Sequence, residues 1–477
     1  MSREKNLIKN TAILSLGTFV PKFITVFITP ILTAKLTKAE YGSYDLVITL
    51  VALLLPATTL QISSAAFRFL IDQKDDNLKC KKIISSIFTF VVVTSVITCL
   101  LYYVLSGKKL GHIGILVCFY FVSDILMIAA QQVMRGMGKN TYYSFSTIIK
   151  AILDISMIII LLGVLGTKNF GLLGVMLSMS ISAFASFIFL LIKGEIIKFY
   201  NIKYFDINTL KELLKYSWPM VPNNLSNWVL RVSDKVVITA ALGVEANAIY
   251  AVATKLPTIF DSLQGTFTLA WQENASIASK DDDKDRYYSV MCTNVYNIFV
   301  GLMSGLIMTT PIVWKILIRG DYESAYYQLP VLYIGMLFSS FAATIGGIYI
   351  AHMKTKSVGI TTTIAAVINL LIDILFVKKI GIWAGSISTM ISYLVLVIYR
   401  MYDVQKFQKI RFEIKKMILG IVMLSIMAIC SYQKKIAFDL INILICILVL
   451  FVFDKDIIII IFKALFNKKI EKNKKKD

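Results

Sequence analysis

The sequence predicts an all-α polytopic membrane protein of about fourteen transmembrane helices: two six-helix lobes related by a pseudo-twofold axis along the membrane normal, then a final helix pair. Three observations predict it. Hydrophobic residues make up 57% of 477 positions and mean hydropathy is +0.73, above the roughly 45–50% apolar usage of soluble domains. Apolar stretches of about 20 residues, the length needed to cross a bilayer, recur along the whole chain. The first six of them also repeat in the second six.

From the N-terminus, spans fall near 11–34, 42–67, 83–105, 112–134, 142–165 and 170–192. Pro21 and Pro30 lie inside the first and are expected to kink it and free backbone carbonyls. Segment 193–216, KGEIIKFYNIKYFDINTLKELLKY, mixes Ile, Phe, Tyr and Leu with Lys. It reads as an amphipathic helix on an anionic lipid surface or as a plain linker between lobes. The second set follows near 217–241, 246–271, 287–310, 328–351, 357–377 and 380–400, and the last pair near 416–432 and 436–453. Pro219, Pro222, Asn223, Asn224 and Asn227 are expected to bend the seventh span near its start. Segment 457–466 is apolar but too short to cross and is fenced by charges, which predicts an interfacial segment, and the basic tail KKIEKNKKKD is expected to be a solvated end. The domains are therefore an N-terminal lobe at 1–193, a linker at 194–216, a C-terminal lobe at 217–401, and helices thirteen and fourteen with the tail at 402–477.

The formal net charge is +21, but the basic residues sit in short loops between apolar spans, which argues for membrane orientation and against nucleic acid. With the N-terminus inside, about 34 of the 50 Lys and Arg fall on the inner side and about 11 on the outer, which predicts that both termini are cytoplasmic. MSREKNLIKN runs into a long span with no short apolar core and cleavage site, so it reads as retained. The six cysteines show neither CxxC nor zinc-ligand spacing, so no disulfide framework or metal site is expected. No loop carries a catalytic cluster, which argues against an enzyme. His112 and His352 fall at span ends, where a loop position is expected over a proton relay.

The repeat appears at an offset of 206, where Thr33, Ala34, Leu36, Tyr44 and Leu50 match Thr239, Ala240, Leu242, Tyr250 and Leu256. At an offset of 210, Gly171, Ser178, Ile181 and Ser182 match Gly381, Ser388, Ile391 and Ser392. Six spans per half is an even number, so both halves enter from the same side, an arrangement typical of transporters with a site between two lobes.

Chemistry must come from charged residues inside the spans, where each costs roughly 2.5–3.5 kcal/mol on translocon scales. Arg231 and Lys235 are i, i+4 on one face of the seventh helix, with Asp234 beside them, and the eighth adds Lys255 and Asp261. Lys22 lies mid-span and should face the interior. Lys150 and Asp154 are i, i+4 and read as a self-sufficient pair, whereas Asp124 has no local partner. Asp45 and Asp373 lie near span ends and are expected at the interface. The balance of Lys22, Arg231, Lys235 and Lys255 is cationic, which suits a phosphate or diphosphate passenger better than a cationic drug. Each acid-bearing position also has a plain structural reading, in which the charges neutralise each other.

Trp228, Arg231, Asp234 and Lys235, then Leu242-Gly243 and Tyr250 to Lys255, resemble the seventh and eighth helices of Wzx-type oligosaccharide flippases, in the multidrug/oligosaccharidyl-lipid/polysaccharide superfamily. Ala39-Glu40-Tyr41-Gly42 after the first helix and the span count extend the resemblance over nearly the whole chain. It implies a MATE-like fold in a bacterial cytoplasmic membrane. It further implies translocation of undecaprenyl-diphosphate-linked repeat units for capsule, O-antigen or exopolysaccharide, by alternating access, with polymerase and assembly proteins as partners. The polyprenyl tail would stay in lipid, entering between the first and eighth helices. On that analogy Lys22, Arg231, Lys235 and Lys255 hold the diphosphate or acidic sugars. Asp124, Lys150, Asp154, Asp234 and Asp261 are then coupling or gating candidates, with an H+ or Na+ gradient as the drive and no bound cofactor. A lipid II flippase and a MATE-type multidrug/cation antiporter are the alternatives.

Overall fold

The computed structural model describes residues 3–73, 76–106 and 111–455, and among them there is no strand. The helices are α1 (Arg3–Lys35), α2 (Lys38–Thr59), α3 (Ile62–Gln73), α4 (Asn77–Leu105), α5 (His112–Gly136) and α6 (Asn140–Ile158). They continue as α7 (Thr167–Ile192), α8 (Ile207–Ser217), α9 (Met220–Leu242), α10 (Val244–Ala253), α11 (Lys255–Ala278) and α12 (Lys284–Leu317). The last six are α13 (Glu323–Tyr326), α14 (Leu329–Ala351), α15 (Thr355–Ile380), α16 (Trp383–Val404), α17 (Ile414–Tyr432) and α18 (Ile436–Phe453). Among the described residues, eleven helices are long and apolar enough to cross a membrane. To these, α1, α9 and α11 add three more of 33, 23 and 24 residues, which accounts for the fourteen predicted spans. Of the three, α9 carries Arg231, Asp234 and Lys235. Segment 457–466 and the basic tail lie outside the described residues.

Packing divides the chain into two compact units. One holds Met1–Ile249 and Leu317–Asp321, the other Tyr250–Ile316 and the chain from Tyr322 onward. The seventh helix, α9, thus packs with the first unit, although the sequence repeat counts it in the second half. A repeat follows duplication order, whereas a packing unit follows contacts.

In the first unit, α1 keeps a helical course through Pro21 because its neighbour supplies the missing donor. Pro21 has no N–H for the Gly17 carbonyl four residues back, and the Thr147 hydroxyl of α6 donates to that carbonyl at 2.8 Å. Gly17 has no side chain to hold α6 off, and a Cβ there would lie 2.6 Å from Ser144 Oγ. At the start of α2, Thr37 and Glu40 form a reciprocal capping box. The predicted single span over 42–67 is instead two helices, since Leu60 and Gln61 both adopt positive φ, 46° and 58°, and end α2. Pro219 and Pro222 occupy the N-terminus of α9, where a helix has no use for their missing N–H, so they lie at the break between α8 and α9.

The linker forms short 3₁₀ turns and α8. Asp206 caps α8 by accepting from Thr209 N at 3.3 Å, and Ser86 Oγ bonds both the Asp206 N–H and its carbonyl. Leu210 and Leu213 are buried, which fixes one face of α8 on the protein. The Thr209 hydroxyl, the largest influence, holds the Asp206 carboxyl below its ordinary value.

The second unit is centred on α14, the most thoroughly buried helix. Two adjacent glycines let other elements reach its backbone. Trp271 Nε1 donates to Thr344 O at 2.7 Å, beside Gly347, and Arg400 Nη1 donates to Ala342 O at 2.7 Å, beside Gly346.

The duplication read from the sequence has a local backbone counterpart in Gly171 and Gly381. Gly171 adopts φ 36°, ψ −128° near the start of α7, and Gly381 adopts φ 63°, ψ −141° just before α16. Both conformations suit glycine alone, so an alanine at either site carries a backbone cost of about 1–3 kcal/mol. Their surroundings differ. A Cβ on Gly171 would lie 2.1 Å from Glu40 Oε1, which accepts from Leu172 N at 3.1 Å, whereas nothing lies within 4 Å of the corresponding point on Gly381. Gly171→Ala is therefore expected to lower the melting temperature of the purified protein more than Gly381→Ala does. Equal shifts by scanning fluorimetry would contradict the Glu40 contact.

Candidate functional site

On α9 the expected cluster of charges separates by environment. Arg231 is exposed, Asp234 is buried, and Lys235 is partly buried with its Nζ 2.9 Å from Asp45 Oδ1 of α2. Asp45 was expected at the interface, but only 3% of it is exposed. Its burial follows from how tightly α2 and α9 approach. A Cβ on Gly42 would lie 1.8 Å from Val244 O, so only glycine lets the chain after α9 pack there. Asn247 Nδ2 donates to Gly42 O at 3.1 Å, Lys235 meets Asp45, and Trp228 Nε1 donates to Thr49 O at 3.1 Å. These three contacts run in antiparallel order along α2 on one side and α9 and α10 on the other. Asp45 Oδ2 is buried with no hydrogen-bond partner, so Lys235 supplies the charge compensation that the second oxygen lacks.

A second cluster joins α5, α6 and α7. Lys150 Nζ lies 2.7 Å from Asp124 Oδ1, with the Tyr120 ring centroid 5.7 Å away. The expected Lys150–Asp154 pair is thus replaced by a pair across helices. Helical side chains lean toward the N-terminus, so Lys150 extends away from Asp154, one turn C-terminal, and toward α5. Asp154 of α6 has a buried Oδ1 without a hydrogen-bond partner, while the Ser182 hydroxyl of α7 donates to Met179 O at 3.0 Å.

In the other unit, Asp373 is 1% exposed, again buried where an interfacial position was expected. Ser388 Oγ donates to Asp373 Oδ1 at 2.6 Å and accepts from Asn369 Nδ2 at 3.1 Å. Lys22 on α1, and Lys255 and Asp261 on α11, are partly buried. Lys22, Asp124, Lys150, Asp154, Arg231, Asp234 and Lys235 belong to the first unit, Lys255 and Asp261 to the second.

Arg400 carries no warning in the sequence, since it sits near a span end. It is 4% exposed and donates only to neutral acceptors: Thr361 Oγ1 at 3.1 Å, Thr362 Oγ1 at 3.0 Å, Ala342 O at 2.7 Å and Val358 O at 3.4 Å. It clamps α14, α15 and α16 together. His112 is the exposed first residue of α5, and His352 follows the last residue of α14. All six cysteines are free, and among the described residues no group of three or more His, Cys, Asp or Glu could hold a metal ion. The second unit also contains an apolar cavity of about 620 Å³ walled by α11, α12 and α18, with Phe260, Phe267, Phe299 and Leu450 in its lining.

The profile of the polysaccharide biosynthesis protein family matches residues 7–271, more than half the chain. The chain belongs to that family. The match covers α9, with Arg231 and Lys235, and the helices bearing Lys22 and Lys150. Among individual relatives of this family member, the uncharacterised membrane protein MJ1068 of Methanocaldococcus jannaschii is 20% identical over 453 residues, 88% of each chain. Among solved structures, the lipid II flippase MurJ in an inward closed conformation superposes with a TM-score of 0.69 at 17% identity, covering 95% of this chain and 99% of its own. An inward-facing multidrug resistance MATE family transporter of the MOP superfamily gives 0.64 at 14% identity, covering 82% and 95%. The fold is the MATE-like one expected, and family and fold agree with the resemblance read from Ala39 to Gly42 and from Trp228 to Lys255.

Proposed function

We propose that this protein moves undecaprenyl-diphosphate-linked oligosaccharide repeat units from the inner to the outer leaflet of the bacterial cytoplasmic membrane, for surface polysaccharide assembly. The observation that carries the proposal is the family match over 7–271, because that stretch contains Lys22, Arg231 and Lys235 on helices of membrane length. A cation in a span is expensive, and cations held there suit an anion that must be bound and then released. Arg231 and Lys235 hold the diphosphate, and Lys22 and Lys255 meet the diphosphate or acidic sugars. The carboxylates of the Asp124–Lys150–Asp154 cluster, with Asp234 and Asp261, serve coupling to an H+ or Na+ gradient, and alternating access completes the cycle. The apolar cavity beside α11 suits the polyprenyl tail, since its walls are mainly aliphatic and aromatic, with Gln264 and Thr309 the polar exceptions. Both termini are cytoplasmic in this reading, and the chemistry is translocation without catalysis.

Flipping of a defined polyprenyl-diphosphate oligosaccharide into the outer leaflet of proteoliposomes tests this. Arg231→Ala and Lys255→Ala are each expected to slow it at least about tenfold. Wild-type rates in both variants would remove the proposed site. A lipid II flippase is the second reading, favoured by the fuller coverage and higher TM-score of MurJ over the MATE transporter. Faster movement of lipid II than of the other glycolipids in the same assay would select it.

A further inference from the structure

Resting on the reading that Lys235 meets the diphosphate, we infer that Asp45 is a specificity-determining residue. It is the resident counter-ion of Lys235 and keeps singly charged phosphodiester headgroups of bulk lipid off that lysine. The ion pair is short, 2.9 Å, and its side chains are only 13% and 4% exposed for Lys235 and Asp45. A lysine near enough to a span end to reach the headgroup layer can be neutralised there by a lipid phosphodiester. Lys235 is already neutralised, so an arriving single phosphate gains little from it. Specificity of this kind works by penalising the wrong partner as much as by attracting the right one.

A diphosphate differs because its two phosphates are covalently linked. Arg231 lies four residues before Lys235 on the same helix and is exposed. Residues at this spacing lie about 5–6 Å apart at Cβ, so one phosphate held by Arg231 keeps the second within reach of Lys235. The second phosphate then competes with Asp45 as a tethered group, at a high effective concentration. Among the described residues Asp45 Oδ1 bonds Lys235 and Oδ2 has no hydrogen-bond partner, so Asp45 is left exchanging one counter-ion when the diphosphate arrives.

The test uses the purified full-length protein and two probes, inorganic pyrophosphate and glycerophosphoglycerol, a phosphodiester without acyl chains. By titration calorimetry the wild type is expected to prefer pyrophosphate. Asp45→Asn should reduce that preference at least about tenfold by strengthening phosphodiester binding, and Asp45→Glu, which keeps the counter-ion, should preserve it. An unchanged preference in Asp45→Asn overturns the role of Asp45. If Lys235→Gln binds pyrophosphate like the wild type, the reading of the site itself fails, which separates the two failures. Should Asp45→Asn not fold, labelling of wild-type Asp45 by dicyclohexylcarbodiimide reads the same exchange. Pyrophosphate should increase labelling and glycerophosphoglycerol should not, and labelling unaffected by pyrophosphate overturns the inference.

Discussion

Gly42→Ala is expected to destabilise the protein by about 3 kcal/mol, the upper end of ordinary overpacking costs. The added Cβ would fall 1.8 Å from Val244 O and 2.7 Å from its carbonyl carbon. Both are backbone atoms, so no side-chain rotation relieves the overlap and the chain after α9 must move off α2. That movement pulls on the Asn247–Gly42 hydrogen bond at 3.1 Å and the Lys235–Asp45 pair at 2.9 Å. Gly359→Ala in α15 is the control, because nothing lies within 4 Å of its added methyl group and alanine favours helix. Unfolding of the purified protein in a denaturing detergent titration measures both. A Gly42→Ala midpoint at or above that of Gly359→Ala would show that α2 and the Val244 turn are not in contact.

Lys150→Met is expected to cost about 3–5 kcal/mol, the usual penalty for removing one partner of a buried ion pair. Its side chain is 23% exposed and that of Asp124 11%, and Asp154 lies one turn along the same helix with Oδ1 already unpartnered. Without the lysine two carboxylates share a poorly solvated site. The double variant Lys150→Met/Asp124→Asn removes one of those charges and should recover most of the loss in the same titration. An equal loss in single and double variants would mean that Lys150 contributes through packing and not through charge.

How much of this could be read from the sequence depends on the range of the determining interaction. The spans were legible because a stretch of about 20 apolar residues reports its own environment. The match of Gly171 with Gly381 was legible because both keep glycine for the same local reason, a backbone conformation only glycine adopts at low cost. The cation-bearing character of α9 was also plain. The partners of those charges were not. Lys150 looked paired with Asp154 by spacing, yet the lean of helical side chains sends it to Asp124. Asp45 and Asp373 looked interfacial by distance from a span end, yet both are buried by neighbouring helices. Arg400 gave no signal at all, because its acceptors come from two other helices.

The sequence by itself determined a helical membrane protein of about fourteen spans and which helices carry charge, since hydrophobic burial and backbone preference act over a few residues. Only the tertiary structure decided that Lys235 belongs to Asp45 and Lys150 to Asp124. A buried ion pair is chosen by which helices touch and in what register, and in the α2–α9 case that register depends on a glycine more than 190 residues from the lysine it serves.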